Sequence, residues 1–227
     1  MPSIADKQLD GLQDQIGDIK ARIALPAYAN ASAGQGQILG HFLCRALQMS
    51  EASDLVYRAN LGTPLAALVR ILCEDLFLCS WVSLSAKDAA EYSSGVISAW
   101  QTLVRIKIEN GRSTLRHTLT HEDRTGELLR RLKGVSTHGV RVEQLAKRLG
   151  LSKVYDLLYR FFSMEVHGKV FGLPSQSEAE GLSAAISAVV VLVKTIGVIA
   201  DNRVLRNQAT TPGEIIRLLR LDGIGGG

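Results

Sequence analysis

Hydrophobic positions recur at three- and four-residue intervals almost from end to end of this chain, and no run of alternating β-branched residues interrupts them. That periodicity predicts an all-α fold. Leu9, Leu12, Ile16, Ile19 and Ile23 open the pattern with spacings of 3, 4, 3 and 4, a short heptad seam within residues 4–24. Such a seam either pairs with a second chain or lies on its own core. A softer stretch, LPAYANASAGQG, follows, and helices are then predicted over 37–58, 63–84 and 87–110. Thr63 and Pro64 suit an N-cap and a first helical position, Ser85 suits the cap of the third helix, and Gly111 ends it. The polar stretch 112–138 carries a short predicted helix at 122–133, closed by Gly134. VEQLAKRLG and KVYDLLYRFFSMEVHG read as two further helices, followed by a loop from Gly168 to Ser177. A long apolar helix at 178–204 and an amphipathic turn from Pro212 to Leu221 lead into a glycine tail. The expectation is a multi-helix bundle of six to eight helices over 35–221, with 182–200 as its buried apolar centre. Residues 1–30 form a candidate oligomerisation arm, and 222–227 a flexible tail.

The apolar C-terminal helix is long enough to span a bilayer, but Lys194 and three Ser/Thr lie inside it. A lysine near the membrane centre costs about 2.5–3.5 kcal/mol, so a buried helix with no membrane partner is expected. The start MPSIADKQLD lacks the basic-then-apolar pattern of a secretory signal. Cys44, Cys73 and Cys79 form no CxxC pair and sit in apolar helical stretches, which suits reduced core thiols in a cytoplasmic protein.

At 227 residues, 46% apolar and 21% charged, the chain is excluded from the disordered and fibrous classes. Its formal charge of +4 is unevenly spread. Residues 105–153 hold twelve Lys/Arg against five Asp/Glu, and the remainder is net acidic. Arg130, Arg131 and Lys133 stand at the middle of this block. Concentrated positive charge favours phosphate polymers or acidic partners, unless it is simply a solvated helical face.

Two clusters carry candidate chemistry. In LAALVRILCEDLFLCSWV, Arg70, Glu74 and Asp75 are the only charges, and Arg70 and Glu74 share one face. Either they satisfy each other and clamp neighbouring helices, or they line a polar pocket. In YDLLYRFFSMEVHG, Arg160, Ser163 and His167 recur at spacings of 3 and 4 beside an apolar stripe of Tyr155, Tyr159, Phe162 and Val166 that is expected to face the core. Seven residues are nearly two turns, so Arg160 and His167 are predicted to point the same way, about 10 Å apart. A histidine at a helix C-terminus is favoured in its protonated form. Elsewhere, His117 and His121 lack a third ligand for a metal. VEQLAKRLGLS has the opening of a helix-turn-helix, but Tyr, Leu and Phe stand where base-reading residues belong. No phosphate-loop, dinucleotide or hydrolase-elbow motif occurs.

LVRILCEDLF followed by AKRLGLSKVYDLLYRFFSMEVHG resembles a widespread bacterial family of uncharacterised helical proteins. Its members pair an R-x3-E helix with a later Y-x3-YR-x2-S-x3-H helix. The resemblance covers roughly residues 60–170 and makes Arg70, Glu74, Tyr155, Tyr159, Arg160, Ser163 and His167 the signature positions. The R-x6-H spacing is also similar to the R-x4-6-H motif of HEPN-superfamily ribonucleases, helical and often dimeric enzymes of toxin and phage-defence systems. Those enzymes usually place a polar residue after the arginine, where this chain has Phe161. The second resemblance implies cleavage of RNA without metal or cofactor. His167 would serve as acid or base, and Arg160 would neutralise the phosphorane. Ser163 and Tyr159 would hold phosphate oxygens, with Tyr155 beside them. Glu74 would orient His167, kept ionised by Arg70. A homodimer or larger homo-oligomer would join such helices, and the basic block would hold the RNA strand. The other reading is a non-catalytic interaction module, in which Arg70, Glu74, Ser163 and His167 form a buried polar network that fixes helix packing.

Overall fold

In a computed structural model, residues 4–29, 34–111, 114, 116, 118–132, 141–166 and 178–221 are described. They form helices α1 (Ile4–Ile23), α2 (Pro26–Ala29), α3 (Gln35–Arg58), α4 (Gly62–Leu84), α5 (Ala86–Glu109), α6 (Thr125–Leu132), α7 (Val142–Arg148), α8 (Ser152–Val154), α9 (Arg160–Val166), α10 (Glu178–Arg206) and α11 (Pro212–Leu218). A π-helical segment, Tyr155–Tyr159, joins α8 to α9. The architecture is an all-α multi-helix bundle, and among the described residues no β-strand occurs. The helices outnumber the six to eight expected. One addition is α2, inside the stretch read as soft, where Tyr28 is buried and anchors the turn.

Several boundaries follow the sequence signals. Gly111 adopts φ +65° just past α5, a conformation glycine takes without steric cost. Ser85 caps α5, its hydroxyl accepting from the Asp88 amide at 3.1 Å. Thr211 and Glu214 form a capping box with Pro212 in the first turn of α11. The start of α4 is different. Leu61 stands at the cap without a side-chain hydrogen bond and Gly62 is already helical, so Thr63 is not the N-cap. The chain reaches α4 through Asn60 at φ 57°, and that reversal sets the entry two residues early. Gly134, the predicted end of α6, and the loop 168–177 lie outside the described residues.

The chain divides into two compact units, Met1–Ala89 with Val142–Gly227, and Ala90–Arg141. In the first, α4 and α10 form the centre, with α3 and α1 beside them. Ile186, Val189, Leu192, Val193, Ile196 and Ile199 of α10 are buried, as are Leu65, Val69, Leu72, Leu76 and Phe77 of α4. Core burial at roughly 25 cal/mol per Å² is the main stabilising force here. The polar residues that argue against a membrane span are each accounted for. Gln8 donates to Ser183 Oγ at 2.7 Å and Ser187 Oγ at 2.9 Å, and Thr195 Oγ1 donates to the Val191 carbonyl. Lys194 is exposed. By length and composition alone, Glu180–Arg206 could cross a membrane; here one face of it packs on α4, α3 and α1.

Of the candidate arm, α1 and α2 lie within this unit. The heptad seam of α1 is closed, with Leu12, Ile16 and Ile19 buried against α10 and α3. Gln8 meets Ser183 and Arg22 meets Asp201, so α1 runs parallel to α10. Cys73 and Cys79 are buried, and burial pushes both thiols up from their ordinary value. Cys44, expected in the core, is exposed instead, because it falls on the outer face of α3. The second unit carries most of α5 together with α6, and Ile108 and Leu132 are buried in it.

Candidate functional site

Arg70 and Glu74 lie one turn apart on α4 and present the same face. That face meets Tyr159, the last residue of the π-helical segment. Arg70 Nη2 donates to the Tyr159 hydroxyl at 3.0 Å and Nε does so at 3.3 Å. The hydroxyl in turn donates to Glu74 Oε1 at 2.9 Å. Arg70 Nη2 and Glu74 Oε1 lie 3.2 Å apart, with side chains 34% and 33% exposed. The Arg70 guanidinium also sits over the Tyr159 ring, 5.3 Å from its centroid. Tyr155 stacks on Tyr159 with centroids 5.1 Å apart. Burial pushes the Tyr159 phenol above its ordinary value, with Glu74 adding to the rise and Arg70 opposing it. The phenol is therefore protonated at neutral pH and available to donate. The hydrogen bond to Tyr159 raises Arg70 further. The result is a charge-balanced triad at the edge of the bundle.

This geometry amends the expected arrangement. Glu74 Oε1 accepts from Tyr159 and lies beside Arg70; His167, the partner expected for Glu74, lies outside the described residues. The pair is half-open, where a sealed network was the alternative. Tyr155 and Tyr159 are half-buried and do not face the core; Phe162 and Val154 occupy the core positions of this helix. A π segment occupies this stretch. Arg160 N–H donates to the Tyr155 carbonyl, five residues back. One extra residue in the turn rotates everything beyond it by about 100° relative to a uniform helix.

Arg160 follows Tyr159 directly but stays outside the triad. Its side chain is 66% exposed and pairs with Asp156 at 3.1 Å. Ser163, one turn further on, has a buried hydroxyl with no partner among the described residues. His167 lies outside the described residues, as do His117 and Lys133. Arg130 and Arg131 stand exposed on α6 in the second unit, where Arg131 pairs with Glu127 at 2.6 Å and Arg130 Nε donates to the Gly126 carbonyl. Arg124 pairs with Glu122 and Glu127, and Arg105 with Glu109. The basic block is thus partly neutralised within itself. Leu145 and Ala146 of α7 are buried, and α7, the π segment and α9 all pack on α4. This removes the projecting helix a DNA-reading motif needs. His121 is exposed, and among the described residues no group of three or more His, Cys, Asp or Glu could hold a metal.

The model of a family of unknown function, DUF5677, matches residues 36–178. The chain belongs to this family. The DUF5677 segment begins within α3 and includes every described residue of the triad, with Arg160 and Ser163. It leaves out α1 and nearly all of α10, so the parallel helices that complete the bundle centre flank the matched region. No curated protein and no solved structure matches the chain.

A second cluster in the first unit was not anticipated as a whole. Trp81 Nε1 donates to Asp88 Oδ1 at 2.8 Å, Arg148 Nη2 reaches the same oxygen at 3.1 Å, and the Ser85 hydroxyl donates to Oδ2. The Arg148 guanidinium lies over the Trp81 ring. Ser85-x2-Asp88 has capping-box spacing, the one local signal for it. The long-range partner Arg148 has no local signal.

Proposed function

We propose that this DUF5677 protein is a HEPN-like, metal-independent RNA endonuclease acting in the cytoplasm as an antiviral or toxin-type effector. The observation that supports this best is the exposed Arg160 guanidinium, on a helix tied to α4 through Tyr159, Arg70 and Glu74. A fixed, solvent-facing guanidinium suits the charge that builds on a phosphorane. Arg70, one-third exposed on α4, supplies a second cation. His167 is assigned the proton transfer on the ribose hydroxyl or the leaving oxygen. Glu74 acts through Tyr159, holding the phenol and Arg70 in place, and is a positioning residue. Stacked Tyr155 and Tyr159 offer an aromatic surface for a base.

The test is cleavage of single-stranded RNA in the presence of a chelator. Wild type is expected to cut, and Arg160→Ala and His167→Ala to lose at least about a hundredfold in rate. Intact RNA with wild-type protein, or equal cutting by the His167 variant, overturns the reading. An interaction module is the second reading, favoured by the mutual satisfaction of Arg70, Tyr159 and Glu74. It expects no cleavage in any variant.

A further inference from the structure

The α1 seam is spent inside its own unit, but α5 carries another that is open. Tyr92, Val96, Ala99, Leu103 and Ile106 are spaced 4, 3, 4 and 3, the repeat of a helix that packs lengthwise on another helix. Val96, Leu103 and Ile106 are 45%, 59% and 44% exposed, and Trp100 beside them is 68% exposed. Ala99 is exposed as well, and Tyr92 is half-buried. A contiguous apolar stripe of this length on the surface marks an interaction site. The opposite side of α5 turns inward at Ile108, so the stripe is not the helix's own core face.

We propose that the α5 stripe is the self-association surface of this protein, and that its occupant is α5 of a second copy, packed antiparallel about a twofold axis at Ala99. The pattern is nearly symmetric about that residue. Val96 and Leu103 flank it at three and four residues, and Tyr92 and Ile106 at seven on either side. Reversing the helix lays Val96 on Leu103 and Tyr92 on Ile106, with two alanines at the crossing where backbones approach. An isologous dimer requires such a self-complementary face. The positions that border the seam are Ser93, Gly95, Trp100, Thr102, Lys107 and Glu109, so two charges of opposite sign border it, both at its C-terminal end. In the antiparallel pairing, Lys107 falls opposite Ser93 of the second copy and meets no like charge. A Cβ added at Gly95 would find open space, so that flank of the seam is uncrowded in the single chain. The stripe is about 22 Å long. Closing two such faces buries on the order of 1,000 Å², the lower bound for a specific interface.

Sedimentation equilibrium of the full chain is expected to give twice the 24.6 kDa monomer mass at micromolar concentration. Leu103→Glu places two unpaired charges in the closed seam and is expected to raise the dimer dissociation constant at least about a hundredfold. Because Leu103 is exposed in the single chain, circular dichroism of that variant should match wild type. Leu119→Glu, at an exposed apolar residue off the stripe, should leave the dimer intact. Register is read by oxidative crosslinking in a Cys44→Ser background. Ala99→Cys should crosslink alone, whereas Tyr92→Cys should do so only with Ile106→Cys on the other copy. A monomeric wild type overturns the proposal, as does a dimer indifferent to Leu103→Glu. Crosslinking by Tyr92→Cys alone overturns the antiparallel arrangement.

Discussion

Tyr159 shows how much one hydroxyl can organise. It accepts from Arg70 and donates to Glu74 across two helices, so Tyr159→Phe removes both bonds while keeping the ring. The expected cost is about 1–2 kcal/mol in urea unfolding, because the two charged partners remain beside each other. Gly197 is a stricter case. An added Cβ would lie 2.6 Å from Arg22 Nη1, and Arg22 is held by Asp201 at 2.8 Å. Alanine gains about 1 kcal/mol of helix propensity over glycine. Displacing a charge-assisted bond costs about 1.5–3 kcal/mol, so Gly197→Ala is expected to be net destabilising in the same measurement. Two aspartates, Asp75 buried and Asp88 half-buried, should respond to pH in opposite directions. For Asp88, desolvation raises the carboxyl, but the bonds from Ser85 and Trp81 and the charge of Arg148 outweigh it and hold it below the ordinary range. Its stabilising contribution is therefore present above the unfolded pKa and lost as pH falls through the folded one. Urea melts of wild type and Asp88→Asn should differ at neutral pH and converge in acid. For Asp75, burial raises the carboxyl against the pull of Arg45, so its ionised form costs stability as pH rises through its folded value.

Among the helices, the two heptad seams carry the sharpest contrast. Both have the same 4-3 spacing in the sequence, yet Leu12 and Ile19 of α1 are fully buried and Leu103 of α5 is 59% exposed. Leu12→Ala is expected to cost about 2–5 kcal/mol, and Leu103→Ala less than about 0.5 kcal/mol in the monomer. Equal losses in denaturant titrations would contradict this assignment of faces. Helix ends were legible wherever a side chain makes the cap, as at Ser85 and Thr211. They were not legible at Leu61, where backbone reversal at Asn60 sets the boundary. The π segment was invisible for a related reason. A widened turn changes the hydrogen-bond partner of a few amides without changing which residues are apolar, so a uniform 3.6-residue period placed Tyr155 and Tyr159 toward the core.

Taken whole, the molecule is an apolar centre of α4 and α10 with chemistry-bearing side chains at one of its edges and a second compact unit over residues 90–141. The sequence by itself determined the helical class, the central place of the apolar C-terminal helix and the pairing of Arg70 with Glu74. Each of these rests on local spacing, and side chains three or four apart on a helix are neighbours however the helix packs. Only the tertiary structure decided that Tyr159 completes the Arg70–Glu74 pair, that Arg160 faces solvent beside Asp156, that Arg148 reaches Asp88, and which heptad seam is closed. Those contacts join residues tens of positions apart or depend on what covers a face. Such information resides in the packing of whole helices against one another, where a repeat along a single helix is silent.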